Sequence, residues 1–113
     1  MKISGKDAVL ILAKHPTLVD LHKKDQTDKF WSYKLKVGSR AEFAFDPHTK
    51  RDLIIRFDQE PPKIPGVEKI ENLGSKSIST ALDRVFSGGK HTAKFKAVIF
   101  DESTLLSVIR GLT

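Results

Sequence analysis

No cysteine occurs in this 113-residue chain, and that absence excludes several mechanisms together. Disulfides, thiolate zinc sites, iron–sulfur clusters and thiol nucleophiles all need the missing sulfur. A cysteine-free chain suits a reducing compartment, and we expect a soluble, cytoplasmic protein. Long apolar runs are missing too. The longest near the start, Ala8 to Ala13, has six residues and is closed by Lys14, His15 and Pro16. A signal peptide needs about 7–15 apolar residues, and a membrane span about 20. No membrane partner is expected.

Catalytic signatures are equally scarce. The four histidines stand at 15, 22, 48 and 91, and no pair has the spacing of a His-Glu-x-x-His helix. His15 and His22 on one helix would lie about 10 Å apart, too far to share an ion. No metal site and no cofactor is expected. Asp-x-Lys and Glu-x-Lys, the two-carboxylate and ammonium pattern of Mg²⁺-dependent nucleases, occur nowhere. Gly88-Gly89-Lys90-His91-Thr92 superficially matches a phosphate loop. Its order is helix to strand, whereas a phosphate loop runs strand to helix so that the helix N-terminus meets the anion. There is no Gly-x-Ser-x-Gly. A metal-independent ribonuclease needs no fixed spacing, and His48, Lys50, Arg51, His91 and Lys94 are the candidates for it.

The chain is nevertheless of a size to fold. About 65% of the surface of such a chain is buried on folding, enough for one core without staples. We therefore expect residues 1–113 to form a single domain. Ser4 and Asp7 have capping-box spacing ahead of a helix that Pro16 ends. Residues 17–28 are ambiguous between one amphipathic turn and a loop. From Lys29 the period changes to two. Trp31, Tyr33, Leu35 and Val37 share one face, and Phe30, Ser32, Lys34 and Lys36 the other. Ala41, Phe43 and Phe45 form a second strand and Leu53 to Phe57 a third; short turns make the three an antiparallel meander.

Pro61, Pro62, Pro65 and Gly66 then enforce a loop. A helix from Ser75 or Ser77 to Phe86, closed by Gly88 and Gly89, leads to a strand from Lys90 to Phe100. On that strand Ala93, Phe95, Ala97 and Ile99 share a face. Asp101 or Ser103 caps a last helix whose buried stripe is Leu105, Leu106, Val108, Ile109 and Leu112. The expectation is an α+β domain with a four-stranded, mainly antiparallel sheet (a β-meander plus one later strand) and about three helices, in the order α-β-β-β-α-β-α. Asp52, Ile54, Arg56 and Asp58 share one face of the third strand, where the aspartates can pair with Arg56, simply meet water or, less in keeping with the pattern, flank an ion.

Charge is what the sequence has in excess. Twenty Lys and Arg stand against fourteen Asp and Glu, a net +6. Residues 1–38 hold eight Lys and four Asp, residues 39–66 five of each sign, and residues 67–113 seven basic and five acidic side chains. Lys34, Lys36, Arg40, Lys50, Arg51, Lys90, Lys94 and Lys96 are the candidate nucleic-acid contacts. They form a patch only if Lys34, Lys36, Lys94 and Lys96 share one sheet face, with Phe30 and Phe100 as stacking surfaces. Alternating Lys is also how an antiparallel sheet meets water.

The leading expectation rests instead on apolar excess. Leu-Ile-Ile-Arg-Phe at 53–57 and Ala-Val-Ile-Phe at 97–100 put hydrophobes on both faces of their strands. Either the first and last helices cover both faces, or the helices cover one and a partner or a second copy covers the other. The expected function is thus a non-enzymatic binding module for a protein partner or itself as a homodimer. Nucleic-acid binding by a basic sheet face is the first alternative and the ribonuclease the second.

Overall fold

The computed structural model describes residues 2–21, 29–36, 38–73, 85–86 and 93–112. They form α1 (Gly5–Ala13), β1 (Val19–Leu21), β2 (Trp31–Leu35), β3 (Glu42–Phe45), β4 (Leu53–Phe57), β5 (Val67–Asn72), β6 (Phe95–Ile99) and α2 (Glu102–Leu112). The strands make one sheet in the order β1-β2-β3-β4-β6-β5, with every neighbouring pair antiparallel. The class is α+β as expected, and β2-β3-β4 is the expected meander.

The sheet has six strands rather than four, and both additions lie at its edges. β1 comes from the ambiguous stretch after Pro16: Val19 pairs with Leu35 and Leu21 with Tyr33, so pairing to β2 decides what propensity left open. β5 escaped because its inward residues are three apart. The pairing slips between Glu68 and Glu71, and Lys69 takes a φ of 51° in that bulge. Val67 and Ile70 can therefore both meet the core, against the strand period of two. Two helices are described. The helix expected from Ser75 or Ser77 lies outside the described residues except for Val85 and Phe86, both fully buried.

Local chemistry explains the helix ends. The Ser4 hydroxyl accepts the Asp7 N–H at 3.1 Å, and the Asp7 carboxylate accepts the Ser4 N–H at 3.0 Å, closing the capping box. Asp101, not Ser103, caps α2. Its carboxylate accepts the Thr104 N–H at 2.8 Å and the Thr104 hydroxyl at 2.6 Å, and those bonds hold its pKa below the usual carboxylate range.

Both helices pack on the same sheet face. Ala8, Ile11 and Leu12 of α1 and Leu105, Val108, Ile109 and Leu112 of α2 join Val19, Tyr33, Leu35, Phe43, Phe45, Leu53, Ile55, Phe57, Ala97 and Ile99 in one core. Tyr33 stacks on Phe43 and Phe45 at 5.7 and 5.4 Å between centroids, and burial pushes its phenol up to about 12. Coverage of both faces by the first and last helices is therefore excluded. The second face has a smaller cluster of Phe30, Ala44, Val85, Phe86 and Ala93. Ala93, expected in line with Phe95, instead joins that cluster.

Candidate functional site: the open half of the second sheet face

The registers order the second face into rows. Ser32 opposes Ala44, Ala44 opposes Arg56, Arg56 opposes Lys96, and Lys96 opposes Glu71. In the next row toward the β3–β4 turn, Ile54 opposes Val98 and Val98 opposes Glu68. In the row on the other side, Asp20 opposes Lys34 and Lys34 opposes Glu42, whose carbonyl accepts the Asp58 N–H at 3.1 Å.

The β2–β3 half of this face is covered. Phe30 is 3% exposed, and the Ser32 hydroxyl donates to the Val85 carbonyl at 2.6 Å. Phe30 is thus not open for a base to stack on. On the half formed by β4, β6 and β5 no hydrophobic cluster of described residues packs. Ile54 is 37% exposed on β4, inside the sheet, and Val98 beside it is half-buried. Of the exposed large hydrophobics among the described residues, Leu10 at 64% and Leu21 at 41% lie on α1 and the edge strand β1, and Ile54 lies on a strand inside the sheet.

Arg56 stands at the border between the halves. Its guanidinium lies 5.3 Å from the Phe30 ring centroid, a cation–π distance. Its Nε is buried and has no hydrogen-bond partner, and no ion pair to Arg56 is formed among the described residues. Burial pulls its pKa down, opposed by the fields of Asp46 and Glu71. The expected pairing with Asp52 and Asp58 is not formed. Asp52 binds Lys2 at 3.0 Å, and the Asp58 carboxylate accepts the Glu42 N–H at 3.1 Å. Burial pushes the Asp58 carboxyl up, with the Glu42 N–H opposing and the Glu42 charge adding to the rise.

The candidate cations are dispersed. Lys34 and Lys96 do share the second face, and Lys94 and Lys36 continue its alternation. Carboxylates interleave them: Asp20, Glu42, Asp58, Glu68 and Glu71 belong to the same rows, and the field of Asp46 reaches Arg56. Lys36 pairs with Asp20 at 3.4 Å and Lys96 with Glu71 at 3.3 Å. Arg40 is exposed in the β2–β3 turn with a φ of 55°. Lys90 and His91 lie outside the described residues.

Lys50 and Arg51 stand at the β3–β4 turn, in a polar hollow of about 400 Å³ beside Lys2, Ser4, Asp7 and Asp52. The start of α1 borders it but offers no free donor. Gly5 N–H donates to the Thr49 hydroxyl at 2.7 Å and Lys6 N–H to the Thr49 carbonyl at 3.2 Å, while the capping box takes those of Ser4 and Asp7. His48, Lys50 and Arg51 sit at one end of β4 and Lys94 at the other, a strand length of roughly 17 Å. The described ribonuclease candidates therefore do not converge. No cluster of three metal-ligating side chains occurs among the described residues, and none of their helices is long and apolar enough to cross a membrane.

Arg56 and Ile54, placed by the sequence on one strand face but assigned there to no site, are the residues that the tertiary structure singles out. Their signal is a charged residue inside an apolar strand run, on the face opposite Ile55 and Phe57. A second apolar surface, of about 280 Å³, lies between α1 and the β1–β2 edge, walled by Val9 and Leu12 and floored by Leu21, Trp31 and Tyr33. Models of known families, curated proteins and solved structures were compared with the chain, and none matches it.

Proposed function

We propose that this chain is a non-enzymatic protein-interaction module whose contact surface is the open half of the second sheet face. The observation that carries the reading is Ile54, 37% exposed on a strand inside the sheet while both described helices pack on the opposite face. An apolar centre with a charged border is the usual anatomy of a protein interface, and Arg is over-represented among residues that dominate binding energy. Ile54 and Val98 supply the centre here, with Arg56, Lys96, Glu68 and Glu71 around them. The nucleic-acid alternative draws on the same face but has to place phosphates among its carboxylates.

A photo-crosslinking side chain at position 54, in cells that make the protein, tests the reading against the same group at Ser107 on the exposed side of α2. A discrete protein adduct from position 54 alone is expected. No adduct from position 54, or the same adducts from both positions, sinks the proposal. Sedimentation distinguishes self-association: a dimer made monomeric by Ile54→Glu puts a second copy on this face. DNA or RNA binding at ~50 mM salt that weakens steeply as salt rises, with no protein adduct, replaces the module with a nucleic-acid binder.

A further inference from the structure

We infer that the partner of this face is a short extended protein segment carrying a carboxylate and an apolar side chain two residues apart. The inference deepens the interaction reading and rests on it. Its starting point is Arg56, half-buried against Phe30 with an orphaned Nε and no ion pair among the described residues. A desolvated guanidinium is costly until an anion joins it, and a carboxylate matches its donor fork. The neighbouring cation is already engaged, since Lys96 holds Glu71 at 3.3 Å.

Spacing supplies the second element. Ile54 and Arg56 are two apart on β4 and point to the same face, roughly 6.6 Å from each other. Side chains i and i+2 of an extended segment have the same separation. One can set an acid on Arg56 while the other covers Ile54 and Val98.

Size and charge narrow the occupant further. Three strands, β4 and β6 of five residues and β5 of six, present a patch about 14 by 17–20 Å. A stable globular interface buries about 800 Å² on each partner, several times that footprint. The patch therefore suits a short segment better than a second copy of a chain that itself carries +6. A nucleic acid would bring phosphates against Glu71 in the row of Arg56, Glu68 in the next row and Asp46, whose field reaches Arg56, and would leave Ile54 without an apolar contact. One carboxylate set on Arg56 avoids both costs.

Nuclear magnetic resonance of the full chain tests this through the Arg56 Nε–Hε and Ile54 methyl signals. The probes are the acetylated, amidated peptide Thr-Glu-Thr-Leu-Thr, its Gln and Ser analogues at the Glu and Leu positions, and oligothymidylate. We expect both signals to move with the Glu–Leu peptide at millimolar affinity, and binding to weaken about tenfold for either analogue. Arg56→Gln should erase the preference for Glu over Gln, and unchanged Ile54 methyl dispersion shows that the variant folds. Equal binding of the Glu and Gln peptides at Ile54 overturns the carboxylate partner and leaves the interaction reading standing. No movement at either signal up to about 10 mM peptide also overturns the proposal. So does oligothymidylate moving Arg56 in a strongly salt-dependent manner. The interaction reading fails separately, by the absence of a crosslink from position 54.

Discussion

Substituting Ala for Gly5 sets two effects of opposite sign against each other. By helix propensity alone, Ala in α1 should stabilise the chain by up to about 1 kcal/mol. The tertiary structure forbids that gain. A Cβ on Gly5 would lie 1.9 Å from the Asp46 carbonyl oxygen and 2.6 Å from the Thr49 hydroxyl oxygen. The first is backbone and cannot swing aside, so the β3–β4 turn has to retreat from α1. That movement strains the Gly5 N–H bond to Thr49 Oγ1 at 2.7 Å and the Lys6 N–H bond to the Thr49 carbonyl at 3.2 Å. Overpacking costs about 1–3 kcal/mol and each lost bond about 0.5–1.5 kcal/mol. Net destabilisation is then about 1–5 kcal/mol, a fall in Tm of roughly 5–30 °C for a chain this size. Thermal unfolding of Gly5→Ala, Thr49→Ala and the double variant measures it. Thr49→Ala alone should cost about 1 kcal/mol and add little once Gly5 is replaced. A Gly5→Ala protein as stable as the parent refutes the close approach of α1 to this turn.

Three further outcomes follow from burial and charge. Ile55→Ala should cost about 2–5 kcal/mol in urea unfolding and Ile54→Ala less than about 1 kcal/mol, because only Ile55 is in the core; equal losses would mean that Ile54 is covered. Asp58 gives stability that is complete below the ordinary carboxylate pKa and is lost as pH rises through its raised folded value. Asn at that position keeps an acceptor for the Glu42 N–H. Asp58→Asn should therefore be more stable than the parent at neutral pH, with the gap closing below about pH 4, and a gap that ignores pH contradicts the assignment. Tyr33 is the chain's one tyrosine, so phenolate absorbance reports it alone. The folded protein should titrate at about 12 against 10.0 for an unburied tyrosine, with stability lost as pH rises between those values; a native midpoint near 10.0 contradicts its burial.

What the chain determined by itself was local. Period-two alternation defines β2, β3 and β4, Ser4 and Asp7 define the start of α1, and the 3.6-residue stripe from Leu105 to Leu112 defines α2. Each of those signals sits within a few neighbouring residues, where backbone sterics and side-chain direction act. The missing cysteine likewise excluded its chemistries without any fold. Tertiary structure decided the rest. β1 is a strand because β2 lies beside it, and β5 hides its alternation in a bulge that only β6 reveals. Whether the two described helices cover one sheet face or both depends on packing across the whole core. The charge question was of the same kind, since strand spacing puts lysines on one face but pairing puts carboxylates among them. Arg56 and Ile54 read in sequence as one strand's ordinary alternation. Their exposure and missing partners are properties of what packs around them, which chain order does not encode locally.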